Sequence, residues 1–400
     1  MKKLYPRFIF QEIKPYLKDD WIIVIHGARQ VGKTSILYLL ENFVKKQGYK
    51  TLYIDLEFIQ KQDILNAGVE KFNDYLLDLG FTENEIKYIF LDEIQKLKDP
   101  SNFLKLIKDH YPKIKLIVSG SSSFAIKSKF KDSLVGRTVN FEVYPLSFAE
   151  FCVFKGVHFQ NKPKSNIIIK KYNELLKEFI LYGAYPAVAL IDNISKKETI
   201  LNQIISTYIQ KDIKDIANIK DIAKFNNLLQ ILAEQSGNLI NMNEISSTVN
   251  ITINTLEKYI FILENTYVIK LLRPFSRNLR TELVKMPKIF FLDTGIQQLL
   301  WLKTFPQKIL GSVFETVVFT ELIKKGHKNN LFYWRTKDHK EIDFIIENPK
   351  EILPIEVKTN ALKIKNKNIH FFLKKYDLKN YLNIVLNKYS QKNVNYLWEI

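Results

Sequence analysis

A chain of 400 residues and 47.1 kDa, 46% hydrophobic and 26% charged, is too long for one small core and predicts two or three folded domains rather than a disordered polymer. One cysteine excludes a disulfide scaffold, an iron–sulfur cluster and a cysteine-based zinc site, and six scattered histidines argue against a histidine-rich metal centre. The formal charge is +18, and residues 270–400 carry 24 basic against 12 acidic groups, which predicts either an anionic, phosphate-rich partner for the last third or a solvated lysine face.

The opening MKKLYPRFIFQEIKPYLKDD has basic residues but no apolar run followed by a small-residue cleavage site, so it does not read as a signal peptide. Apolar runs such as WIIVI are strand-sized, far below the roughly 20 residues of a membrane span. The expectation is a soluble, cytoplasmic protein with no membrane partner.

Residues 22–26 (IIVIH) form an apolar run, GARQVGKTS follows at once, and SILYLLENFVKKQ has helical periodicity. Gly27, Gly32, Lys33 and Thr34 fit G-x-x-x-x-G-K-[ST] in the strand-then-helix setting the motif requires. Glycines let consecutive N–H groups face phosphate oxygens, so Gly27, Ala28, Arg29, Gln30, Val31, Gly32, Lys33, Thr34 and Ser35 are the candidate ATP-binding residues. Lys33 is expected to reach the β- and γ-phosphates and Thr34 to offer an oxygen to Mg2+. Three more strand-like runs follow, TLYIDLE (51–57), KYIFLDE (87–93) and IKLIVSG (114–120), whose apolar character suits central strands covered on both faces. Asp92, at the end of the second, is the candidate for holding the Mg2+ shell, and Glu93 the candidate base that polarises the attacking water. Ser119, Ser121 and Ser122 are either γ-phosphate sensors or helix caps, with Ser121 the chosen sensor.

GARQVGKTS, IFLDEIQ, VSGSSS and LVGRTVNFEVYPLSFAEF (134–151), in this order, resemble an AAA+ ATPase, specifically a group of archaeal and bacterial P-loop ATPases that carry an uncharacterised C-terminal domain. The resemblance implies that Arg137 completes a neighbouring subunit's site in a homo-oligomer; the plainer alternative is a basic residue at the start of the TVNFEV edge strand. YGAYP (182–186) reads as a Gly/Pro turn between helices and resembles the family's GGFP-type segment. IQKDIKDI (209–216), with Asp212, resembles another family segment.

Residues 223–273 read as helix, turn, helix, helix and then the strand YVIKLLRPF, a winged-helix layout. On its third helix Asn254, Thr255, Lys258 and Tyr259 are expected to be exposed, with Leu256, Ile260 and Leu263 inward. Arg273, Arg277 and Arg280 make the wing region basic, in favour of DNA.

In the last third, KIFFLDTGIQQLL is a strand running into a helix, and GSVFETVVFTELIKKG (311–326) a helix with Glu315 in its first turns. LFYWRT, KEIDFIIE and EILPIEVKTN are strands, with a further one at YLNIVLNKY. By period-two geometry Glu341 and Asp343 share one face, and Glu356 and Lys358 share one face of the next strand. Adjacent strands would bring Asp343, Glu356 and Lys358 together at a sheet edge, with Glu315 projecting from the helix. Carboxylates so gathered, Asp343 and Glu356 first, bind Mg2+ or Mn2+, and Lys358 activates water or stabilises phosphodiester charge. The pattern resembles the restriction-endonuclease-like nucleases, with Glu315, Asp343, Glu356 and Lys358 as the matching catalytic positions. Trp334 and Arg335 either grip nucleic acid or, for Trp334, pack beneath a helix.

The expected fold class is α/β: a P-loop AAA+-type ATPase domain (1–155), a helical linker (156–222), a winged helix (223–280) and a restriction-endonuclease-like α/β domain (281–400). The expected function is Mg2+-dependent binding and hydrolysis of ATP coupled to a basic, DNA-binding C-terminal half. The alternatives are an ATP-regulated, metal-dependent DNA nuclease and a nucleotide-controlled switch for a protein partner.

Overall fold

The computed structural model describes residues 3–120, 134–213, 219, 221–276, 286–387 and 393–400, with backbone alone at 211, 212 and 363. Ser121, Ser122, Arg277, Arg280 and the side chain of Asp212 lie outside the described residues. Two compact units divide the chain: Met1–Tyr144 with Asn265–Tyr267, and Pro145–Glu264 with Val268–Ile400.

In the first unit five parallel strands, β1 (Ile22–Gly27), β2 (Lys50–Asp55), β3 (Lys87–Asp92), β4 (Ile114–Gly120) and β5 (Thr138–Val143), lie in the order β2-β3-β4-β1-β5. The three inner strands are buried along their whole length and the two edge strands only in part. This is the burial that near-continuous aliphatic runs such as IIVI and KLIV require, because helices cover both faces of a parallel sheet. The helices are α1 (Ile9–Ile13), α2 (Lys33–Lys46), α3 (Ile59–Asn66), α4 (Val69–Asp78) and α5 (Pro100–His110). α2 buries Ile36, Leu37, Leu40 and Val44, spaced at three and four residues. α5 begins on Asp99, whose carboxylate accepts the Asn102 N–H at 3.1 Å, with Pro100 in the first turn. Phe72, Leu76, Leu104 and Ile107 from α4 and α5 meet Ile89, Leu91, Leu116 and Val118 in one core. Each such side chain contributes ~1.5–3 kcal/mol by leaving water. The packing fixes the carboxyl ends of β1, β3 and β4 side by side, the edge at which open α/β sheets bind ligands.

The second unit opens with α6 (Phe148–Phe154), started by a reciprocal cap: the Ser147 hydroxyl accepts the Glu150 N–H at 3.2 Å and the Glu150 carboxylate accepts the Ser147 N–H at 2.9 Å. α7 (Asn166–Tyr182), α8 (Pro186–Ala189) and α9 (Ile194–Ile204) follow, and α9 continues into π-helical backbone over Ile205–Asp212. Between α7 and α8 the YGAYP turn has a specific job. Gly183 has φ 76, and a Cβ there would stand 2.3 Å from Oδ1 of Asp293. That buried carboxylate accepts the Ala184 N–H at 2.7 Å and the Ile296 N–H at 3.0 Å, so it closes the turn and caps the helix after it at once.

α10 (Ile222–Glu234), α11 (Met242–Val249) and α12 (Ile253–Asn265) precede an antiparallel pair, β6 (Ile269–Leu272) and β7 (Lys288–Phe291). On α12, Leu256, Ile260 and Leu263 are buried and Asn254 and Lys258 exposed, as the spacing predicts. Tyr259 corrects the expectation: it is buried and packs edge-on against Phe225 of α10, ring centroids 5.4 Å apart.

α13 (Thr294–Leu302) and α14 (Gly311–Lys324) lead to β8 (Leu331–Arg335), β9 (Glu341–Asn348), β10 (Glu351–Asn360), α15 (Lys367–Tyr376), β11 (Leu382–Asn387) and β12 (Val394–Tyr396). The sheet order is β12-β11-β10-β9-β8, antiparallel from β8 to β10 and parallel from β10 to β12. β9 and β10 are therefore interior strands, and the acids they carry are not at a sheet edge as expected. Trp334 is also placed by packing: it is buried with Phe275, Ile342 and Phe372, the last edge-on at 5.1 Å, and offers no face for stacking on a base.

Candidate functional site

The first site is built where β1 passes into α2. Gln30 (φ 62) and Gly32 (φ 95) are both left-handed and flank Val31, a curl that only a loop of this kind holds. Gly27 packs so close that a Cβ on it would lie 2.1 Å from the Val143 carbonyl oxygen. α2 is 14 residues long and its N-cap, Gly32, makes no side-chain cap, which leaves first-turn N–H groups and the helix dipole for an anion. Lys33, the first residue of that helix, is buried and donates to the carbonyls of Gly27 (3.2 Å) and Ala28 (2.8 Å). Burial brings its ammonium down to about 8, against the opposing pull of Glu93 and Asp92. A cation held by carbonyl dipoles, with its charge poorly compensated, fits an arriving polyphosphate. Ala28 and Val31 are buried; Arg29, Gln30, Thr34 and Ser35 are exposed at the mouth of the loop.

Asp92 is surrounded by neutral donors. Its carboxylate accepts the hydroxyls of Thr34 (2.7 Å), Tyr53 (2.8 Å) and Ser119, and the Glu93 N–H at 3.2 Å. Thr34 and Asp92, the two residues expected at Mg2+, are thus joined directly, and the donor set fits a hydrated divalent cation in the way the motif requires. Ser119 bonds to Asp92, which makes it a partner of that carboxylate. Glu93 has φ 56, a left-handed position that costs a non-glycine residue strain and turns its side chain at the strand end. Its carboxylate accepts from Gln95, and burial pushes its pKa up while Lys33 opposes the shift. Tyr53 is the member that the sequence reading missed. Its hydroxyl is held protonated by burial and by Asp92, and its ring lies 4.6 Å from Tyr38. The available signal was its position two residues before the end of β2, a strand that pairs with β3 through Asp55 and Asp92. Arg137 forms a two-pronged pair with Asp109 of the same chain, Nε to Oδ1 2.9 Å and a terminal nitrogen to Oδ2 3.1 Å.

The second cluster lies wholly in the second unit. The β9–β10 ladder ends at Phe344 and Ile355, and beyond it the Val357 N–H is taken by Oδ2 of Asp343 at 2.7 Å. Lys358 Nζ lies 2.5 Å from Glu356 and 3.6 Å from Asp343; Lys288 Nζ lies 3.1 Å from Glu315 and 2.6 Å from Glu341. The structure therefore brings the four expected residues into one network and adds two that were not in the expected set, Lys288 and Glu341. Lys288 is buried at the start of β7 and was hidden by its ordinary appearance before a strand. Burial and then Asp343 push Glu315 up to about 8 and Glu356 up to about 7. Burial opposes the charge of Lys288 and Lys358, yet the surrounding carboxylates hold both above the usual lysine range. Arg335 is committed to Glu341 at 3.4 Å and to His339 at 2.9 Å. Among the described residues no three or more His, Cys, Asp or Glu side chains gather as a metal-holding group. Asp343 and Glu356, the residues expected at a metal, share the Lys358 ammonium in this arrangement.

Among the described residues no helix is long and apolar enough to cross a membrane. Residues 19–152 match the AAA domain model, residues 173–307 the Domain of unknown function (DUF8612) and residues 310–398 the Domain of unknown function (DUF4143). The chain is 28% identical to an uncharacterized protein of Haemophilus influenzae over 87% of this chain and 84% of that one. It is 29% identical to an uncharacterized protein of Methanocaldococcus jannaschii over 87% and 77%. Among solved structures, a Walker-type ATPase of Pyrococcus abyssi aligns over 74% of this chain and 95% of its own with 13% identity and a TM-score of 0.48. AMPPCP-bound DnaA of Aquifex aeolicus aligns over 66% and 89% with 17% identity and a TM-score of 0.31. Both scores are below 0.5, so the fold stands on this chain's own topology. Strand order, phosphate loop and family match agree, and residues 19–152 carry a P-loop AAA-type ATPase domain.

Proposed function

We propose that the chain is an Mg2+-dependent ATPase whose nucleotide state governs how its basic second half holds DNA. The observation that carries the ATPase reading is the join of Thr34 to Asp92 at 2.7 Å beside a buried Lys33 and the strained Glu93. Lys33 leaves the carbonyls of Gly27 and Ala28 for the β- and γ-phosphates, and Glu93 takes a proton from the attacking water. Thr34, and Asp92 through the ion's water shell, would hold Mg2+, which would supply charge neutralisation to the phosphates. Lys33→Ala is expected to lower ATP turnover ~10²–10³-fold, the usual scale for losing one preorganised stabiliser of transition-state charge. Turnover by the purified variant within threefold of wild type overturns the reading.

DNA as the partner is supported by the three helices α10–α12 followed by the β6–β7 pair, by exposed Asn254 and Lys258, and by the +12 excess of residues 270–400. A second reading, metal-dependent cleavage of that DNA, is favoured by one observation: Oε2 of Glu356 is buried without a hydrogen-bond partner. Labelled linear, supercoiled and branched DNA, incubated with Mg2+ or Mn2+ beside a Glu356→Ala control, decides between them. Intact DNA with a salt-sensitive mobility shift supports binding alone, and cutting that the variant loses supports the nuclease. With neither, the partner is a protein and both DNA readings fall.

A further inference from the structure

We infer that Arg7, which lies outside the phosphate-loop motif, is a positioning residue that sets the loop's N–H groups toward the nucleotide's phosphates. The inference rests on the ATP reading above. Arg7 belongs to the YPR stretch ahead of the first helix, and only 6% of it is exposed. One terminal nitrogen donates to the Val31 carbonyl at 2.6 Å and the other to the Tyr144 carbonyl at 2.9 Å.

The two acceptors are not ordinary backbone positions. Val31 sits between the left-handed residues Gln30 and Gly32, where the chain reverses and the peptide planes have least help from regular structure. No peptide bond among the described residues is cis. In a trans peptide the C=O and the N–H lie in one plane and point in opposite directions. Holding the Val31 carbonyl toward Arg7 therefore turns the Gly32 N–H the other way, and the next residue is Lys33, the start of α2. The second acceptor, Tyr144, directly follows Val143, whose carbonyl is the atom that leaves Gly27 no room for a Cβ. One guanidinium thus ties the far end of the loop to the strand against which its near end packs. A planar fork with donors on separate nitrogens reaches two carbonyls at once; an ammonium is a single compact point. Charge-assisted bonds of this kind are also stronger than neutral ones, as holding a strained loop demands.

The role predicts a split in the kinetics. Loosening the cradle weakens ground-state and transition-state phosphate binding alike, so KM rises and kcat at saturation stays. A residue that only held the fold together would instead lower kcat per mole, by unfolding part of the sample, and leave KM where it was. The experiment measures ATP turnover and the affinity of a fluorescent ATP analogue for the full-length chain as wild type, Arg7→Lys and Arg7→Ala. Arg7→Ala is expected to raise KM and Kd about tenfold or more with kcat within about threefold, and Arg7→Lys to fall between, since it keeps at most part of the clamp. If Arg7→Ala does not fold, Arg7→Lys carries the test through the same KM-against-kcat split. Unchanged KM in a folded variant, or a fall in kcat alone, overturns the clamp while leaving the ATPase reading intact. A wild-type chain that neither binds nor hydrolyses ATP takes both down.

Discussion

Both units set lysine among acids, and they do so in opposite ways. In the first, Asp92 is satisfied by hydroxyls and a backbone N–H, while Lys33 rests on two carbonyls. In the second, Lys288 and Lys358 lie directly on carboxylates. A hydroxyl both donates and accepts, so it turns from a carboxylate to a cation's shell at little cost. A buried ammonium cannot leave its carboxylate without stranding a charge, at a cost of several kcal/mol. The first arrangement is a site waiting for charged groups from outside, and the second carries its own counter-ions.

The contrast is sharpened first at Glu93, where the largest effect is expected. Glu93→Gln keeps the size and the neighbouring Lys33 but removes the base, so turnover should drop ~10²–10⁴-fold with ATP affinity retained. Because burial raises the pKa of Glu93, wild-type turnover should also fall with acidification at a higher pH than an ordinary carboxylate would give. A Glu93→Gln enzyme that turns over like wild type would mean that the left-handed turn is structural and that the first site is less open to chemistry than its donors suggest.

Much of the first unit was legible because its signals are local. G-x-x-x-x-G-K-T needs eight consecutive residues, and the acids at 92 and 93 end a strand whose apolar run announces it. Its missing parts were long-range: Tyr53 reaches Asp92 across 39 residues and Arg7 reaches Tyr144 across 137, and neither has a pattern of its own. In the second unit the strands were legible by period two, and so was the grouping of Asp343 with Glu356 and Lys358. Order within the sheet was not, since β11 and β12 add beyond β10 and turn an expected edge into an interior. The lysines' effect was also invisible. An E-x-K triplet reads the same whether the lysine faces a metal or neutralises the acid. Tyr259 failed for a simpler reason, as a hydroxyl suggested solvent where Phe225 offered an aromatic partner.

The smaller effect, and the one that tests whether the second cluster really is closed, is linked to protons. Glu315 and Glu356 have folded pKa values near 8 and 7, above the ordinary carboxylate value, so the folded state favours their protonated forms. Groups raised in this way contribute stability that is complete below the unfolded pKa and lost as pH rises through the folded one. The window is therefore pH 4.5 to about 8, with the second unit weaker at the alkaline end. The raised lysines Lys288 and Lys358 stay charged across it and add nothing to the slope. Linkage gives about 1.4 kcal/mol for each pH unit over which one carboxylate is engaged. Urea midpoints followed by tryptophan emission, to which Trp301, Trp334 and Trp398 of this unit contribute three of the four residues, should fall from pH 5 to pH 8. Glu356→Gln, uncharged throughout, should flatten part of that fall. Repeating the series in excess Mn2+ makes the comparison decisive. An unchanged slope means that lysines and protons alone balance the carboxylates, and the cluster is closed. A slope that Mn2+ abolishes in wild type but not in Glu356→Gln means that a cation displaces the protons, and the two units then differ only in which of their acids wait for a metal.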